Sequence, residues 1–204
     1  MTIRSGLGAL LLSLCTAFAF AQEEPRDLKT LMEDAEDGEV AAQFELGNRY
    51  LSGDGVEADN FEAARWFRMA ADQGDNNAQY NLGVMYMQGT GVIADLDQAI
   101  EWFRKAAEQG DPPAQFTMAT LYANGKGVPR DPVLAHMWFT IAASAGHRAA
   151  QANVVLFQEM LSDLQISEGQ RMARDWIEKY SQEQERKAAE AAPDNAASPR
   201  ASAQ

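Results

Sequence analysis

Two histidines, His136 and His147, and one cysteine, Cys15, are the only strong soft-metal ligands and nucleophile partners in the 204 residues. A zinc site needs three or four such ligands brought together, so no ordinary set can be assembled. No metal and no cofactor is expected, and no residue is assigned as catalytic. His136 falls 36 and 72 positions after Ile100 and Ala64, which are inward apolar positions; a core histidine held by a hydrogen bond is expected there. His147 replaces Asp75 and Asp111 at the head of a helix, where a ring nitrogen caps rather than catalyses. Gly53-Asp54-Gly55 has the glycines of a phosphate loop but lacks the lysine that should follow. The neighbouring acids Glu36-Asp37 make a solvated face.

Whatever these residues do, a repeat must position them. The stretch Ala78–Asp111 falls on Ala42–Asp75 when moved back 36 positions, and on Ala114–His147 when moved forward 36. Tyr50, Tyr86 and Tyr122 hold register, and so do Gly53, Gly89 and Gly125, and Trp66, Trp102 and Trp138. A period of this length marks stacked supersecondary units. Ala78, Leu82, Met85 and Tyr86 sit at helical spacing, and Gly89 can take the left-handed turn that ends a helix. Val56, Val92 and Val128 plug the bend, and Asp59, Asp95 and Asp131 cap the helix that follows. That second helix carries Ala99, Trp102, Phe103, Ala106 and Ala107 on one face and stops at Gly110. The spacing predicts an all-α fold of antiparallel helix pairs.

The order Ala-x-x-x-Leu-Gly-x-x-Tyr-x-x-Gly-x-Gly-Val, then Asp, then Ala-x-x-Trp-Phe-x-x-Ala-Ala-x-x-Gly resembles the Sel-1-like repeat family, a longer-unit relative of the tetratricopeptide repeats. It covers 42–147, with units placed at 42–77, 78–113 and 114–149. Met118-Ala119 replaces Leu-Gly in the third unit, and Glu62, Gln98 and Leu134 stand where a lysine is usual. The resemblance implies a right-handed α-solenoid and a binding scaffold rather than an enzyme. Some exported relatives staple each repeat with two cysteines or carry β-lactamase activity; this chain has neither the cysteine pairs nor any Ser-x-x-Lys.

Outside the repeats, residues 1–21 read as a cleaved export signal: Arg4, an apolar run over Leu7–Phe20, and Ala19-Phe20-Ala21 before Gln22. Leu14 before Cys15 is wrong for a lipoprotein signal. A periplasmic protein without membrane insertion, and with no cysteine after processing, is expected. Residues 22–41 should form an N-terminal cap helix and linker, with the helix over Asp27–Ala35. Residues 148–192 should form a degenerate fourth repeat and a C-terminal cap helix opened by a capping box at Ser167–Gln170, and residues 193–204 a disordered tail. The net charge of −13 disfavours nucleic acid and anionic lipid as partners.

Partner-binding positions are sought where the copies differ although packing does not demand it. Four such rows run along the first helices: Glu45, Asn81, Thr117 and Asn153; Asn48, Val84, Thr120 and Leu156; Arg49, Met85, Leu121 and Phe157; Ser52, Gln88, Asn124 and Met160. In stacked helix pairs the first helices line the concave side. The residues assigned to the partner are Glu45, Asn48, Arg49, Asn81, Val84, Met85, Gln88, Thr117, Thr120, Leu121 and Asn124. Met85 and Leu121 are expected to contact the partner more than the core. Leu156, Phe157 and Met160 either extend this strip or lie under the cap helix. The expected partner is a protein or peptide; the other reading is a hydrolase or a cell-wall or carbohydrate binder using the repeat as a frame.

Overall fold

A computed structural model describes residues 27–191. The expected signal segment with its break after Ala21, and the expected tail 193–204, lie outside the described residues. Within them the chain is helical throughout: α1 (Leu28–Glu36), α2 (Val40–Ser52), α3 (Asn60–Asp72), α4 (Asn76–Gln88), α5 (Leu96–Glu108), α6 (Pro112–Asn124), α7 (Pro132–Ser144), α8 (Arg148–Met160) and α9 (Asp163–Ala191). The pairs α2/α3, α4/α5 and α6/α7 are the three complete units, and each packs on the next. No described helix is long and apolar enough to cross a membrane.

Each unit is built the same way because the same residues end and restart its helices. At Gly89 the backbone turns left-handed, φ +72°, and its N–H returns to the Met85 carbonyl at 2.8 Å. Asp95 then caps α5 by accepting from the Gln98 amide at 3.0 Å, as Asp59 and Asp131 do for α3 and α7. Gly91, also at positive φ, lies so close to the Asn60 carbonyl of the preceding unit that a side chain there would overlap it. Inside each pair a small residue admits a ring: a Cβ on Gly83 would come within 2.8 Å of Phe103, and one on Gly47 within 2.7 Å of Phe67. Phe67, Phe103 and Phe139 are consequently among the most deeply buried side chains.

Between units the buried polar groups are paired by a glutamine relay. Gln43, Gln79 and Gln115 each donate from Nε2 to the carbonyl of the preceding second helix, at Ala35, Ala71 and Ala107 (3.1, 3.1 and 3.2 Å). Gln73 and Gln109, at the ends of α3 and α5, then donate to Gln43 Oε1 and Gln79 Oε1 at 2.8 Å. Ala145 stands at the corresponding place after α7, and Gln115 Oε1 is buried with no partner.

One feature of the C-terminal end differs from the sequence reading, the start of the cap helix, while its packing on the last unit is as expected. The helix expected to open at Ser167 opens at Asp163. Ser162-Asp163-Leu164-Gln165 has the same capping-box pattern, and it is the one used: the Ser162 amide donates to Gln165 Oε1 at 3.1 Å, while the Ser167 hydroxyl bonds back to the Asp163 carbonyl. The cap helix α9 does not pair with α8; it lies along α7. The outer side of α7 explains this. Val133, Leu134, Met137 and Ile141 stand where α5 has Asp97, Gln98, Glu101 and Lys105, so α7 is apolar on both sides and needs a second cover. Ala173 is fully buried, and Trp176 meets Trp138 edge-on at 5.8 Å. Tyr180 donates to the Gln109 carbonyl at 2.7 Å.

Candidate functional site

The two histidines are structural. His147 caps α8, its Nδ1 accepting from the Ala150 amide at 3.2 Å, and its ring stacks on Phe116 at 4.6 Å. His136 is fully buried under α9, where a Cβ on Gly169 would touch its Nδ1. The hydrogen bond expected for it is not made: both ring nitrogens lack a partner. Burial pushes its pKa down. Asp111 is the other buried ionisable group. It caps α6 through the Ala114 amide at 2.8 Å, and burial raises its pKa, with that amide and the charge of His147 pulling the other way. Among the described residues no three His, Cys, Asp or Glu side chains converge as metal ligands would.

The four variable rows separate once placed on the helices. The third row turns inward. Met85 is 3% exposed and Leu121 4%, so both belong to the core and not to a partner surface. Met85 packs with Ala63, Phe67 and Leu82 between adjacent units, and Leu121 does the same one unit on. Arg49 occupies the same place in the first unit, where only the short α1 precedes. Its guanidinium is largely covered and bonds Glu45 at 2.6 Å. Phe157 continues the row and is buried against Phe139, ring centroids 5.3 Å apart. Of the three residues left open at the end of the strip, only Phe157 is covered; Leu156 and Met160 are exposed.

The remaining rows are half or fully exposed: Glu45, Asn48, Asn81, Val84, Thr117 and Thr120 partly, Gln88 and Asn124 freely. Their polar groups share one habit. Asn48, Thr117, Thr120, Asn124 and Asn153 each donate to the carbonyl four residues back on their own helix, at 2.9–3.1 Å. The threonine hydroxyl protons and one N–H of each asparagine are thereby used internally, leaving each asparagine Oδ1 to accept and its second N–H to donate.

One cavity gathers part of these rows. Between α6 and α8 a groove of about 410 Å³ is lined by Phe116, Thr120, Ala123, Asn124, Arg130, Phe139, Asn153, Phe157 and Met160. It has an aromatic floor, the thioether of Met160, the amides of Asn124 and Asn153, and a guanidinium. Arg130 is anchored by one donor to the Ala123 carbonyl at 3.2 Å, which leaves the rest of its fork available. No carboxylate lines the groove. Of the assigned partner residues it collects Thr120 and Asn124; Glu45, Asn48, Arg49, Asn81, Val84, Met85, Gln88, Thr117 and Leu121 lie outside it. Phe116 and Phe139 carry no binding signal in the sequence, where their spacing marks them as packing residues. Arg130 sits in a turn, and its one signal in the sequence is a cation where the other copies have Ala58 and Ala94.

The chain is similar to a Sel1 repeat protein from Oxalobacter formigenes, at 45% identity over 63% of this chain and 97% of that one, with a TM-score of 0.60. It is also similar to c5321, a protective antigen present in uropathogenic Escherichia coli strains that displays an SLR fold. That match has 32% identity and a TM-score of 0.68; it covers 85% of this chain, which spans only 37% of that one. No curated protein matches the chain. The Sel1 repeat matches at residues 40–75, 76–111 and 112–147, each span beginning with the first helix of a complete unit. These spans take up more than half of the chain, which belongs to the Sel1 repeat family.

Proposed function

We propose that this chain is a non-catalytic scaffold of the cell envelope, exported with loss of residues 1–21, that holds a protein or peptide partner along its first helices. The α6–α8 groove takes an apolar side chain of that partner, and this groove is the observation that carries the reading. An aromatic floor releases water when covered, about 25 cal/mol for each Å² of apolar surface. Acceptors at Asn124 and Asn153 and donors at Arg130 fix the orientation of a backbone, as in other peptide grooves. Resemblance to a scaffold family supports the same reading.

The test is a crosslinking pull-down from the native periplasmic fraction, with the bait's intact mass read alongside. Wild type is expected to begin at Gln22 and to recover one protein in amounts comparable to itself. Asn124→Arg with Met160→Glu, both at exposed positions, should abolish that recovery while leaving the melting temperature within a degree or two. Undiminished recovery by the folded variant means that the groove is not the binding surface. Bait absent from the fraction, or retaining residues 1–21, counts against export.

A further inference from the structure

α8 is a first helix without a second. In the complete units the side of the first helix that meets its partner is uncharged: Pro112, Phe116, Ala119 and Ala123 on α6, and Asn76, Tyr80, Gly83 and Met87 on α4. Phe116 and Tyr80 close on the second helix's phenylalanine at 5.5 and 5.7 Å. On α8 the same four positions are Arg148, Ala152, Val155 and Glu159. Valine now fills the place of the small residue that admits a ring, and alanine the place of the aromatic that closes on it. With α9 turned onto α7 this side stays open: Val155 is 56% exposed, and Leu156 at its edge 54%.

The stripe is self-complementary. Its spacings of four, three and four residues place all four side chains within one narrow arc of the helix, and they read the same from either end. Laid antiparallel on a copy of itself, α8 sets Val155 over Ala152 and Arg148 beside Glu159, each contact occurring twice. This is the requirement of a two-fold interface. The charges also stand at the wrong ends for the helix itself. Arg148 is in the first turn and Glu159 in the last, against the helix dipole, and neither has an ion-pair partner among the described residues.

We infer that this side of α8 is an interaction surface for a second copy of the chain, which pairs through antiparallel α8 helices about a two-fold axis. The pairing is independent of the α6–α8 groove. A single short helix offers less than the roughly 800 Å² per partner of a standard interface, so the dimer is weak and in equilibrium with monomer.

Charge exchange tests this by sedimentation of the mature chain over a concentration series. Wild type should show a reversible dimer with a dissociation constant in the micromolar range. Arg148→Glu alone and Glu159→Arg alone should each weaken it at least tenfold, since each places like charges together twice. The two single variants mixed in equal amounts should pair again, and the double variant should dimerise as wild type does. Its charges suit the helix dipole better than the native ones, so misfolding is no obstacle. A wild type that stays monomeric at 100-fold the expected constant overturns the proposal, as does a dimer indifferent to either single change. A chain ending at Ala191 that dimerises when the full chain does not would show the tail covering α8, and overturns it as well.

Discussion

His136 shows how one buried side chain can be read in solution. Its ring is fully covered, no partner meets either nitrogen, and no charged group offsets a proton there. The folded state therefore refuses a proton that the unfolded chain accepts below about pH 6.5. Stability from this group is complete above that pH, and is lost as the pH falls from the unfolded value toward the depressed folded one, by at most about 1.4 kcal/mol per unit. Ile100 fills the same place one unit earlier, so His136→Leu should keep the packing and remove the orphaned nitrogens. Between pH 7.5 and 5.5 wild type is expected to lose more stability than the variant in urea melts. Equal losses would mean that the ring finds a partner or takes its proton without cost.

At the scale of the helix, the glutamine relay stops at Ala145. That residue ends α7 with φ −83° and ψ 9°, nearly the angles of Gln109 at the end of α5, φ −84° and ψ 4°. Ala145→Gln should therefore reach Gln115 Oε1 as Gln109 reaches Gln79, raising stability by about 0.5–1.5 kcal/mol. The urea midpoint should rise with an unchanged slope; no rise would mean that the orphaned oxygen costs nothing. Helices and caps were legible in the sequence because each is specified locally, by Asp95 or Gly89 and a few neighbours, and then repeated. The inward turn of Met85 and Leu121 was not. Both lie beside true surface positions on the same helix, and only the second helix of the preceding unit decides that their row is covered. The course of α9 was half legible: its signal lay on α7, where Val133 and Met137 replace acids, and not on α9 itself. The groove escaped notice because it belongs to two helices 36 residues apart.

Over the whole molecule, stability is a sum of neighbouring interfaces, and position in the stack should set the cost of a deletion. Trp102 is buried in the middle unit, and its replacement by Ala should cost about 3–5 kcal/mol. Trp176 is half-buried on one side of Trp138, and its loss should cost less. Denaturant melts of the two variants give the order; a larger loss at Trp176 would make α9 the keystone. The same helix has a mechanical side. It is 29 residues long against 13 for the helices it crosses, about 43 Å against about 20 Å. It grips α7 and is pinned by Tyr180 at the turn after α5. Its residues Glu183 and Lys187 then share a cleft with Asn76 at the head of α4. It is a strut across the joint between the second and third units, and among the described residues no helix spans the joint between the first and second in the same way. The end that α9 braces is the one that holds the α6–α8 groove. A partner of the kind proposed would meet a braced surface there, and less of its binding energy would go into holding the receptor still.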